Sequence, residues 1–172
     1  DKLPFSYNPR AGWFASANEM NLPKDYPQKD RKLGFEWANS SRYQRIAQVL
    51  GQNKKISIED AMRLQNDVFS LPAKRLISLL TEVSKTQTSD DATLQKALAV
   101  FKNWDYFEHA DSPAAALFQV WLTQTLAPAY KNRMLGNQAG LVPSMPDIAS
   151  MLDNLDSKQD FPAQFGATPS IA

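Results

Sequence analysis

Apolar residues recur at helical spacing along most of this chain, and only the first forty positions break the rhythm. From Ser40, the residues Tyr43, Ile46, Ala47 and Leu50 fall on one face, and Gly51 marks a stop. Ser57 caps the next helix, with Asp60 three positions on, and Ile58, Ala61 and Met62 form its apolar face, continued less regularly by Leu64, Val68 and Phe69. Ser70 and Pro72 signal a break and restart, after which Ala73, Leu76, Ile77, Leu80 and Val83 keep the period and the polar run Ser84 to Ser89 reads as a loop. Asp90 or Asp91 opens a further helix aligned on Leu94, Ala97, Leu98, Phe101 and Trp104. Ser112-Pro113 starts another from Ala114 to Leu126, apolar nearly all round through Leu117, Phe118, Val120, Trp121 and Leu122, which predicts a buried central helix that Pro128 ends or kinks. A last short helix is expected from Ser144, carrying Ile148, Met151, Leu152 and Leu155.

Residues 1–39 carry Pro and aromatics without helical period, so a short strand at about Gly12 to Ala17 is expected, followed by an extended loop through Pro23 and Pro27. The reading is therefore mainly α: an extended or β N-terminal arm over 1–39, a helical domain of about five to six helices over 40–156, and a tail over 157–172.

Composition narrows the classes. At 172 residues with 43% hydrophobic and 10% aromatic side chains, the chain has enough apolar surface for a core. A net charge of +1, from 19 basic and 18 acidic residues, leaves no electrostatic footprint for nucleic acid, and no basic run suggests an anionic membrane. The apolar runs fall far short of the ~20 residues that span a bilayer. With no cysteine, disulfides, thiolate nucleophiles and Cys-based zinc sites are excluded.

Candidate chemistry is sparse. Asn18 closes an apolar run and is followed by irregular, Pro-rich chain, an arrangement that presents a side-chain amide to a cleft; the same residue type is used most often to cap strand ends and turns. Amide hydrolysis passes through a tetrahedral oxyanion, and a neutral N–H donor stabilises it. Arg42 has a planar fork that can hold an amide carbonyl, or it pairs with Glu36 or Asp30 as a solvated arginine. Asp30 reads alone as a solvated loop aspartate, since one carboxylate cannot supply the 6–8 oxygens of a calcium site. His109 is the only histidine and lies in a polar loop, which gives no support to a metal triad or a Ser-His-Asp arrangement. Asp105 is expected to end its helix. Trp13, Trp37, Trp104 and Trp121 read as core, with Trp13 nearest the presumed cleft.

Three blocks carry a resemblance. The first is Asn8-Pro9-Arg10-Ala11-Gly12-Trp13-Phe14-Ala15-Ser16-Ala17-Asn18, closing on Asp25-Tyr26-Pro27. The second is Phe35, Trp37, Arg42 and Arg45-Ile46, with Ile56 to Leu79 behind them. The third is Trp104-Asp105 followed by Ser112 to Trp121. Together they resemble the penicillin acylase family of N-terminal-nucleophile amide hydrolases. The resemblance covers residues 7–126 in the family's order.

It implies that the chain is an internal piece of the large chain of an αββα enzyme that cuts a linear amide through an acyl-enzyme. Asn18 would be an oxyanion donor and Arg42 would orient it, the Arg42 fork holding the amide carbonyl while the amide NH2 stays free. Asp30 stands where some relatives place a calcium-ligating aspartate, so Ca2+ is expected in the intact enzyme and no cofactor in the piece. Partners would be the remainder of the precursor and a small-molecule amide, in the periplasm. Family members open their large chain with Ser, Thr or Cys, whereas this sequence opens with Asp1, so the piece alone is expected to be inactive. Many relatives carry a second Asn where this chain has Glu19, a departure that requires the carboxylate to point away, as strand alternation would make it. The rival readings are a helical scaffold or interaction module without catalysis, and a small aromatic-lined domain for hydrophobic acids.

Overall fold

The computed structural model describes residues 3–34, 37–52, 55–87, 89–141 and 151–152. It is mainly helical. The chain forms two compact units, Asp1–Asp67 and Val68–Ala172.

The first unit holds the arm and two helices, α1 (Ser41–Leu50) and α2 (Ile58–Gln65). α1 begins where the Asn39 Oδ1 accepts from the Ser41 N–H at 2.7 Å. Its expected face, Tyr43, Ile46, Ala47 and Leu50, is half-buried. Gly51 follows as expected but keeps right-handed dihedrals, and a Cβ there would stand 2.8 Å from the Ala47 carbonyl oxygen. Close approach, rather than a left-handed cap, is what this glycine serves. α2 starts with a reciprocal capping box: Ser57 Oγ accepts from the Asp60 N–H, and Asp60 Oδ2 accepts from the Ser57 N–H.

Two expectations fail in this unit. No strand forms at Gly12 to Ala17; a strand needs a ladder partner, and none of the described residues pairs with this segment. The α2 face is apolar but uncovered, with Ile58 77% and Met62 63% exposed. The helix also stops at Gln65, short of Val68 and Phe69.

The second unit contains α3 (Leu71–Thr86), α4 (Ala92–Phe101), α5 (Pro113–Trp121) and α6 (Ala127–Leu135), ending in a 3-10 turn, Gly136–Leu141. Serine or aspartate caps three of these starts. Ser70 accepts from the Ala73 N–H, Asp91 from those of Thr93 and Leu94, and Ser112 from that of Ala115. α3 continues to Thr86, into the stretch Ser84 to Ser89 that is expected to be a loop. Hydroxyls there bond back to the helix, Ser84 Oγ to the Thr81 carbonyl and Thr86 Oγ1 to the Val83 carbonyl, so polar residues stay helical.

The expected single helix from Ala114 is interrupted by a π-helical turn, Leu122–Leu126. Pro128 falls in the first turn of α6 instead of ending a helix. A proline ring removes one helical hydrogen bond and crowds the preceding turn, and a widened turn ahead of it accommodates both effects. α5 is not buried all round: Ala114, Ala115 and Phe118 are covered, whereas Val120 is 51% exposed.

One core joins these helices. Leu76, Phe118, Met151 and Leu152 are its largest fully buried side chains. Trp104 lies beyond the end of α4 and is buried against Phe118, with ring centroids 5.6 Å apart. Asp105 does not terminate that helix, which stops at Phe101; its Oδ1 accepts from the Phe107 N–H and holds the following turn. Of the last expected helix, Met151 and Leu152 are helical and buried, while Ser144, Ile148, Leu155 and the tail 157–172 lie outside the described residues.

Candidate functional site

The arm turns sharply at Ala17-Asn18-Glu19, and Asn18 adopts a left-handed conformation with φ 64°. Asparagine tolerates that region better than other residues with a Cβ, because its short amide can bond locally. The turn is held from two directions. The Asn18 carbonyl accepts from the Ala38 N–H at 2.7 Å. From α1, Arg42 Nη2 donates to the Ala17 carbonyl at 2.7 Å and to Asn18 Oδ1 at 2.9 Å.

This contact fixes the orientation of the Asn18 amide. A guanidinium has only donors, so the oxygen must face it. The amide nitrogen is thereby turned away, and it makes no hydrogen bond among the described residues. Asn18 itself is exposed. The result is an N–H donor pair, on a clamped turn, that no described residue occupies.

Glu19 behaves differently from its neighbour. It is 5% exposed, and its Oε2 accepts from the Ala17 N–H at 2.6 Å. The carboxylate is directed inward by this tight turn and not by the alternation of a strand. Its second oxygen is buried and has no hydrogen-bond partner among the described residues. Nothing in the sequence pattern announces either feature, and the second acceptor of Arg42, the Ala17 backbone carbonyl, is equally invisible there.

Asp30 is exposed in a turn where its N–H donates to the Pro27 carbonyl at 3.0 Å. Among the described residues no three His, Cys, Asp or Glu side chains gather to hold a metal ion, so they do not by themselves make a calcium site. Glu36, the alternative partner for Arg42, lies outside the described residues, as does Phe35. His109, in the second unit, is exposed and stacks on Phe107 with ring centroids 5.7 Å apart. A second clamp in the first unit is structural: Arg45 on α1 grips Asp67 through Nε and Nη2, the closest contact being 2.7 Å.

Comparison with known proteins adds the wider context. Residues 1–170 match the family model of penicillin amidase. An acyl-homoserine lactone acylase QuiP from Pseudomonas putida is 27% identical over 147 residues, covering 80% of this chain and 18% of that protein. QuiP proteins from Pseudomonas syringae pathovars syringae and tomato are 29% and 26% identical, each over 71% of this chain and 16% of their own length. The chain thus spans less than a fifth of these relatives.

Proposed function

The chain belongs to the penicillin amidase family, and on that premise we propose that it forms part of a hydrolase that cleaves a linear amide into a carboxylic acid and an amine. One observation carries the reading: Arg42 holds Asn18 Oδ1 and leaves the amide nitrogen free to donate. In the proposed reaction a hydroxyl or thiol from elsewhere in the protein attacks the substrate carbonyl. The carbonyl oxygen becomes an oxyanion and accepts from Asn18 Nδ2. Collapse expels the amine, which takes up a proton, and leaves an acyl-enzyme that water then hydrolyses. Arg42 acts through Asn18 by positioning it. In this proposal the nucleophile comes from outside the described residues, so the isolated chain is expected to show no amidase activity.

The substrate class is acylated amines, of which acyl-homoserine lactones and penicillins are members. The remainder of the precursor is the proposed partner. Phe5 and Tyr7 in the arm are 90% and 88% exposed, large apolar surface of the kind that further chain would cover. A calcium ion, if the intact enzyme carries one, would draw on Asp30 together with oxygens beyond the described residues. A periplasmic location is proposed from the family resemblance alone; no described helix is long and apolar enough to cross a membrane.

The test is pre-steady-state acylation of the intact enzyme by a chromogenic amide. Asn18→Ala is expected to lower the acylation rate about 10²–10³-fold, the effect typical of losing one oxyanion donor, with unchanged circular dichroism. Near-normal turnover in that variant would remove Asn18 from the mechanism.

A further inference from the structure

Side chains take both hydrogen-bonding groups of the Ala17 backbone. Glu19 Oε2 accepts from its N–H at 2.6 Å, and Arg42 Nη2 donates to its carbonyl at 2.7 Å. Ala17 is itself buried, and among the described residues no strand pairs with this segment to receive the N–H instead. A buried N–H without an acceptor costs about as much as a lost hydrogen bond, so Glu19 supplies what a ladder would otherwise supply.

This bond also encloses a third residue. It runs from the side chain of residue 19 to the backbone of residue 17 and closes a ring around Asn18. A second bond spans the same turn, from Asn21 Nδ2 to Ser16 Oγ, but it is longer, at 3.3 Å, and both partners are exposed. Asn18 holds φ 64°, a conformation unfavourable for a residue with a Cβ and kept only where the surroundings impose it. Arg42 and the Ala38 N–H fix the peptides on either side of Asn18, and Glu19 fixes the one before them. The Glu19 carboxylate is 5% exposed, and its bond to Ala17 is the one it makes among the described residues. Burying a carboxylate is costly, and here the charge-assisted bond that offsets it falls on the residue next to the oxyanion donor.

We propose that Glu19 is a positioning residue for the Asn18 amide. By holding the Ala17 N–H across Asn18 it keeps the left-handed turn closed, so that Arg42 meets Asn18 Oδ1 and Nδ2 stays free. Glu19 touches no reacting atom. Its effect on rate rests on the amide-hydrolase reading; its effect on the Asn18 conformation does not.

The test compares Glu19→Met with Glu19→Gln in the intact enzyme. Both remove the charge and keep the length of the side chain, but only glutamine keeps a strong acceptor for the Ala17 N–H. Glu19→Met is expected to lower the acylation rate about 10- to 100-fold with little change in KM, the scale of misplacing a positioned group. It should also shift the Asn18 amide resonances in protein carrying isotope-labelled asparagine. Glu19→Gln is expected to recover most of that loss and to return the resonances. In an Asn18→Ala background Glu19→Met should add little, because its effect runs through that amide. If the methionine variant does not fold, Glu19→Asp carries the test: a carboxylate one methylene shorter draws the turn out of shape, and should slow acylation and shift the same resonances. A glutamine variant as slow as the methionine one, an undiminished loss on top of Asn18→Ala, or unmoved Asn18 resonances in the methionine or aspartate variant would each overturn the proposal. If Asn18→Ala itself acylates normally, the hydrolase reading fails, and the resonances alone decide whether Glu19 holds the turn.

Discussion

Asn18 and Glu19 are adjacent in sequence and opposite in environment. One is exposed and clamped through its oxygen by Arg42, and the other is buried and bent back onto the Ala17 N–H. The residue types at these positions were legible, because Asn18 ends an apolar run and Arg42 lies at the start of a periodic helix. The backbone that separates them was not. Apolar character from Gly12 to Ala17 suggests a strand, but hydrophobicity cannot report a φ of 64° at Asn18 or the Ala38 bond that holds it. A prediction follows for Arg42. Both bonds come from one nitrogen, Nη2, whose N–H directions are fixed by the guanidinium plane, whereas a lysine ammonium ends a shorter stem with freely rotating donors and does not hold the Ala17 and Asn18 oxygens in the same pose. Arg42→Lys in the intact enzyme is expected to lower kcat by about 10- to 100-fold with little change in KM, since small misplacement of a positioned group has costs on that scale. The Asn18 side-chain amide resonances should broaden or shift in the same variant. A lowered KM-normalised rate with an unmoved Asn18 amide would assign Arg42 a different role.

Elements were readable where local chemistry alone decides them. The Ser57–Asp60 box, the Ser70 and Ser112 caps and the Asp91 start all depend on side chains bonding to backbone within three residues, which sequence spacing encodes directly. The α3 end and the π-helical turn were not readable in that way, because they depend on hydroxyl back-bonding and on how the chain ahead of Pro128 relieves its ring. The capping box also sets a pH response. The Asp60 carboxyl is held below its ordinary value, first by the Ser57 N–H, then by the Arg63 side chain and the Ser57 hydroxyl. Glu59 is lowered too, chiefly by its own backbone N–H and by the Ser57 hydroxyl. Groups whose folded pKa is depressed stabilise the folded state above the unfolded value and lose that contribution as pH falls through the folded one. The first turn of α2 should therefore be intact at neutral pH and loosen as pH falls below the ordinary carboxyl values, 3.8 for Asp60 and 4.5 for Glu59, through the depressed ones. Amide exchange at Ser57 and Asp60 measures this directly. Protection that persists well below pH 3, or Asp60→Asn exchange indistinguishable from the parent at pH 7, would contradict it.

At the scale of the molecule, stability resides in a core whose membership depends on packing more than on pattern. The run from Ala114 to Leu126 is apolar nearly all round, and periodicity alone cannot tell which face of such a helix is covered. The structure decides it: Phe118 is 1% exposed, in the same core cluster as Leu76, Trp104, Met151 and Leu152, whereas Val120, two positions along, is 51% exposed. The contrast makes a matched experiment. Phe118→Ala removes a buried ring packed on Trp104 and Trp121 and leaves a cavity, which typically costs about 3–5 kcal/mol. Val120→Ala removes two methyl groups already in contact with water and should change stability by no more than about 0.5 kcal/mol. Urea unfolding of the chain, followed by far-UV circular dichroism, compares the two, and the m-value checks that the same unit unfolds in each. If further chain covers the Val120 face in the intact enzyme, the same valine variant will lose more stability there than in the isolated chain. Comparable losses from Phe118→Ala and Val120→Ala in the isolated chain would mean that α5 is buried all round after all, and that the face assigned to the core is the wrong one.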